Sequence, residues 1–198
     1  AMCEPFPGYA QIPFHDPDQS WPDEDSIQVW SAGCQIRPGQ YMAHDYNFTM
    51  PRTELPSFSS QTPGHAHDSY DVFAYPGGHT NLDEGGDYAR IRMEALQSDH
   101  MRGKASGNVR GFAPGYLFTL TRHPAASQNR EYLVIAAHYR WRDNDYEARN
   151  TSGEHVFQVE IETHDTAHAF RPAQVTPKPR SAGPETAVVA GPQGQEIH

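Results

Sequence analysis

The sequence predicts an all-β fold, a barrel or sandwich of short strands with little helix, ending in an extended C-terminal strap. Three observations predict it. Runs rich in β-branched and aromatic residues recur at short intervals, 17 Pro and 16 Gly in 198 residues punctuate them, and no helical periodicity persists beyond about ten residues. A chain of this length forms one main domain with extensions.

Residues 1–25 mix Pro5, Pro7, Pro13, Pro17 and Pro22 with aromatics and acids and sustain neither period, so they read as an irregular lead-in. Residues 27–30, 35–37 and 40–48 are runs of β-formers divided by Gly33 and by Pro38-Gly39. Pro presets φ and Gly accepts positive φ, so that dipeptide predicts a turn within a hairpin-like pair. Residues 51–69 are polar and hold Pro51, Pro56, Pro63 and Gly64, which predicts a long surface loop running on to residue 74, with Tyr75-Pro76-Gly77-Gly78 closing it as a turn. In residues 87–96, Tyr88, Arg90, Arg92 and Glu94 alternate with Ala89, Ile91, Met93 and Ala95, the period of a half-buried strand. A short helix is the competing reading, because Arg, Met, Glu, Ala and Leu form helices well.

Residues 103–111 are glycine-spaced without the order of a phosphate loop and read as a basic loop. Pro114-Gly115 then predicts a turn, residues 116–121 a strand, residues 123–129 a polar loop and residues 131–141 a second strand. Its apolar run Leu133, Val134, Ile135 suits cover on both faces. Residues 156–162 form a third strand, and the domain is expected to span 26–169. From 170 to 198, five prolines between Pro172 and Pro192 fix φ and remove donors, so the segment is an extended strap. Within it Thr186, Ala187, Val188, Val189 and Ala190, bounded by Pro184 and Gly191, have the grammar of one buried strand.

Composition narrows the function classes. With 15 Lys+Arg against 25 Asp+Glu the formal charge is -10, which repels phosphate backbones and anionic lipid, so nucleic acid is not expected as a partner. A hydrophobic fraction of 36% is low for a compact enzyme domain and suggests that apolar surface completing the fold comes from further chain or other subunits. Cys3 and Cys34 make no disulfide framework and lack metal-ligand spacing, consistent with a reducing compartment. No apolar run approaches the roughly 18 residues of a membrane span, so stable membrane insertion is not expected.

Candidate chemistry is sparse. His65-Ala66-His67-Asp68 places two imidazoles on alternate residues with Asp71 nearby, as zinc hydrolases do, and His138 is a conceivable further ligand. Solvated loop histidines account for the same pattern. His164-Asp165-Thr166-Ala167-His168 has the spacing of a metalloprotease motif, which needs a helix to bring both rings to one face. The strand-like residues before it and Pro172 after it leave about one turn for that helix. Acid pairs fit a solvated acidic surface, and the sequence has no nucleophile elbow. Trp30, Tyr41, Tyr46, Phe48, Tyr116, Phe118, Tyr139 and Trp141 read as β-core and interface residues, with a carbohydrate-binding module as the alternative.

The strap carries a more specific signal. Phe170-Arg171-Pro172, then Pro177-Lys178-Pro179, then residues 183–197, with Gly183, Thr186, Ala187, Val189 and Gly191, resemble the VgrG family of type VI secretion spike proteins where hub meets needle. The order of earlier pieces agrees: Ile12-Pro13-Phe14, Pro38-Gly39, Asp45-Tyr46-Asn47-Phe48, Tyr75-Pro76-Gly77, residues 89–96, residues 114–120, His123-Pro124 and residues 131–134. The resemblance covers nearly the whole chain and places it in the C-terminal half of a hub. It implies a phage-tail-hub-like β-barrel, a homotrimer seated on the Hcp tube hexamer, and connection to needle and tip or effector proteins. The strap would enter a following barrel of oligonucleotide-binding type. The role so implied is structural, without catalysis or cofactor, in a protein assembled in the bacterial cytoplasm and then secreted.

Overall fold

Strand pairing divides the chain between two sheets. The computed structural model describes residues 3–16, 24–62, 64–142 and 156–187. The larger sheet has six strands in the order β1 (Gln11–Pro13), β7 (Leu117–Thr121), β8 (Glu131–Arg142), β9 (Val156–Asp165), β6 (Met101–Gly107) and β2 (Ile27–Cys34). The smaller has three, in the order β4 (Leu55–Ser60), β3 (Gln40–Asp45), β5 (Asp71–Ala74), with the helix α1 (Leu82–Gln97) packed on one face.

The large sheet curls into a half-barrel. Its two edges meet at Phe14, whose N–H donates to the Thr121 carbonyl at 2.7 Å while Phe14 itself bridges Ile27. Period-two burial fills the curl: Phe118 and Leu120 from β7, Tyr132 and Val134 from β8, Val159 and Ile161 from β9, with Ile12, Ile27, Val109 and Phe112 between them. Each large apolar side chain so buried stabilises by about 1.5–3 kcal/mol. Leu133 is buried as well, so the apolar run of β8 is covered on both faces as its composition suggests.

The remaining elements differ from the expectations in informative ways. Residues 87–96 lie within the 16-residue helix α1 rather than a strand. The buried pair is Ala89 and Met93, each 0% exposed and four apart, whereas Ile91, which a strand would hide beside them, is 37% exposed. The helix is secured at its start by Asn81, whose side chain accepts from the Glu84 N–H at 2.9 Å, while Glu84 accepts from the Thr80 N–H at 3.1 Å. Acidic Asp83 and Glu84 also suit the positive end of the helix dipole.

Residues 51–74 are not one loop, since they contain β4 and β5. Pro56 is compatible with a strand because β4 is an edge. Leu55 and Ser57 turn toward the helix side and are buried. Pro38-Gly39 does not join a hairpin: β2 pairs with β6 and β3 with β4 and β5, so the chain changes sheets there. A Cβ on Gly39 would collide with the Asp68 carbonyl, which explains the glycine. The glycine-spaced segment 103–111 is likewise no loop in its first half. Residues 103–107 belong to β6, where a Cβ on Gly103 would strike the Thr163 hydroxyl of β9. Small residues permit close strand approach there and also erase the apolar alternation that identifies strands. The lead-in gains one regular piece, β1, running parallel to β7.

Candidate functional site at the strap root

The chain leaves the half-barrel at Asp165, and that departure is heavily anchored. The Asp165 carboxylate accepts from the Ala167 N–H at 3.0 Å and pairs with Arg130 at 2.7 Å. Beyond this turn, residues 169–171 cross the C-terminal end of α1. The Arg171 N–H donates to the Ser98 hydroxyl at 2.8 Å, and that hydroxyl lies 2.9 Å from the Glu94 carbonyl and 3.3 Å from the Ala169 carbonyl. Ser98 is buried, so backbone from strap and helix is tied through one hydroxyl.

Charge reinforces the junction. Arg171 Nε donates to Glu94 Oε2 at 2.6 Å, and Arg90 Nη1 to Glu94 Oε1 at 2.9 Å. The Arg171 hydrogen bond, opposed by desolvation and aided by Arg90, holds the Glu94 carboxyl below its ordinary value. Phe170 is half-buried, with its ring 5.5 Å from that of His164 and the Arg102 guanidinium 5.6 Å from its centroid. Arg102 is itself held by Asp99 at 2.6 Å, and Asp99 also meets Arg37 at 3.3 Å. Strap, helix end, the large sheet and the link from β2 to β3 are therefore joined through one polar cluster around an aromatic plug.

Of the strap residues singled out by sequence, Phe170 and Arg171 are placed in this junction. Pro172, Pro177, Lys178, Pro179, Gly183, Thr186 and Ala187 are exposed and lie outside any strand, with a local bond from Ser181 to Glu185 at 2.9 Å. Val189 and Gly191, with most of the expected strand 186–190, lie outside the described residues. The partners Glu94, Ser98, Asp99 and Arg102 were not legible, because reading 87–96 as a strand hides that Glu94 and Ser98 stand one helical turn apart.

The histidines singled out by sequence are not gathered into a metal centre among the described residues. His65 Nδ1 donates to the Ala66 carbonyl at 2.7 Å, with its ring 4.8 Å from that of His100, while His67 takes a positive φ of 73° and packs on Tyr70. His138 is in β8 opposite Glu160. His164 lies one residue before the end of β9 and donates through Nε2 to the His168 carbonyl at 3.1 Å, so the two rings do not share a helical face. Among the described residues no group of three or more His, Cys, Asp and Glu is arranged to hold a metal ion.

The small sheet shows the second notable surface. Met42 stands in register with Phe58 on one side and Phe73 on the other, and the three are 38%, 57% and 62% exposed on the face away from α1.

Comparison with known proteins gives these features a frame. The model of a family described as phage tail baseplate hub (GPD) matches residues 1–145. Over 190 residues the chain is 38% identical to the type VI secretion system spike protein VgrG1c of Pseudomonas aeruginosa, a match covering 96% of this chain and 26% of that protein. VgrG1a of the same organism is 37% identical over 190 residues, 96% of this chain and 30% of its own length. The chain thus spans under a third of these relatives. Among solved structures, the tail protein from Neisseria meningitidis MC58 superposes with a TM-score of 0.54 at 9% identity, over 81% of this chain and 45% of that one, a likeness of fold.

Proposed function

This chain belongs to the phage tail baseplate hub family, and on that premise we propose that it is a structural, non-enzymatic part of the hub of a type VI secretion spike. The observation that carries the reading is collinear similarity to spike proteins over 96% of the chain. In this reading residues 26–169 form a hub barrel domain after the lead-in 1–25. Residues 170–198 are the connector into a following barrel and needle.

The mechanism is mechanical. Three copies make a hub that seats on the Hcp hexamer, and contraction drives hub and needle together through a target membrane. Force passing from barrel to needle crosses the strap at its root, where Arg171, Glu94, Ser98 and Phe170 tie it to α1 and to the half-barrel. A strap of exposed prolines has few internal hydrogen bonds to break and transmits tension along its backbone. The exposed Phe58, Met42, Phe73 row and the 36% hydrophobic content support a unit whose surface is completed by assembly. The protein is assembled in the bacterial cytoplasm and leaves the cell with the spike.

Sedimentation of the protein, expressed in the full context of its gene, with preformed Hcp rings tests the proposal. Co-sedimentation is expected, and failure to bind rings of the cognate Hcp would overturn it.

A further inference from the structure

His164 is buried at 2% exposure, directly beneath the strap root. Its Nε2 donates to the His168 carbonyl at 3.1 Å, which fixes the neutral ring with its lone pair on Nδ1. That Nδ1 is buried and has no hydrogen-bond partner. The Ser98 carbonyl is the acceptor that would favour a second proton there, but with no hydrogen bond formed to Nδ1 it leaves that proton buried and poorly satisfied.

The charges around the ring do not outweigh its burial. Across β6, Arg102 stands in register with His164, and Arg102 Nη1 also lacks a partner. Asp99 at the end of α1 is engaged by Arg102 and Arg37. On its own strand, Asp165 is engaged by Arg130 at 2.7 Å. From α1, Glu94 is engaged by Arg90 and Arg171, and Ser98 by the strap backbone. β8 opposes the ring with apolar Leu133. His100 and His168 line the adjoining groove beside it. Every nearby carboxylate thus has a cation already, and the groove's other titratable groups are histidines.

We propose that His164 is a pH-sensitive latch for the connector: its protonation releases Phe170 and Arg171 from the junction. Phe170 packs against the ring on the strap side, so its displacement opens the charged ring to water, and Phe170 is the residue next to the Arg171 N–H that binds Ser98. Opening the latch frees the strap without disturbing the half-barrel core, which lies on the other side of β9. Burial lowers the pKa of His164 from its ordinary 6.5, with Arg102 acting in the same direction and the His168 carbonyl, the Ser98 carbonyl and Asp165 opposing it. The sign follows: docking is complete above the ordinary value and is lost as pH falls through the lowered one. The inference rests on the strap root being docked as described and is separable from the hub reading.

The Arg171 amide is the reporter, read by hydrogen exchange corrected for the intrinsic pH dependence of exchange. From about pH 7.5 to about pH 5, its protection in the unmodified chain is expected to fall at least ~tenfold, while His164→Gln holds it level. His100→Gln and His168→Gln retain the fall. Protection that persists in the unmodified chain, or that falls equally in His164→Gln, would overturn the latch. Should His164→Gln not fold, NMR titration of the unmodified chain decides: the His164 ring and the Arg171 amide shift with one shared midpoint below 6.5 if the latch exists, and independently if it does not. A trimeric, Hcp-binding protein with a pH-insensitive Arg171 amide would remove the latch and leave the hub.

Discussion

Glu94 is the residue on which the strap root turns, because two guanidiniums and one helix share its carboxylate. Arg171→Ala is expected to lower stability by about 1 kcal/mol or less, since the Arg171 side chain is 41% exposed and Arg90 remains on Glu94. Denaturant midpoints measure the change, and the exposed strap beyond Arg171 should gain protease sensitivity. Because the Glu94 carboxyl is held below its ordinary 4.5, its contribution is present above that value and disappears as pH falls through the lowered one. Acid titration of stability should therefore be shallower in Glu94→Gln than in the unmodified chain below about pH 4.5. An equal slope would show that the carboxylate is not coupled to folding.

At the scale of elements, α1 and the three-stranded sheet make a second small core on Tyr41, Ala43, Ala89 and Met93. Met93→Ala should cost about 2–5 kcal/mol by thermal or denaturant unfolding, because the side chain is fully buried between helix and sheet. A loss below ~1 kcal/mol would mean that the helix is not packed as described. This unit is also where sequence reading failed. Residues 87–96 satisfy both a two-residue and a four-residue spacing, and only the packing partner selects between them. Pro56 and the polar residues around β4 and β5 look like loop because edge strands tolerate them. The large sheet was legible where apolar residues alternate, in β7, β8 and β9, and illegible in β6, where Gly103 and Gly107 make room for neighbours. Phe170 and Arg171 were found through the resemblance alone; their partners needed the helix.

For the molecule as a whole, the half-barrel, the helix-backed sheet and the strap meet at one junction, an arrangement suited to passing load between domains of a larger assembly. Its surface fits that account, with an exposed apolar row on the small sheet and an acidic balance that discourages binding to nucleic acid. The central claim is that this chain works as part of a symmetric hub. Light scattering on the protein expressed in the full context of its gene tests it most directly: the predicted mass is that of three protomers, and a monomer persisting at high concentration would contradict the account.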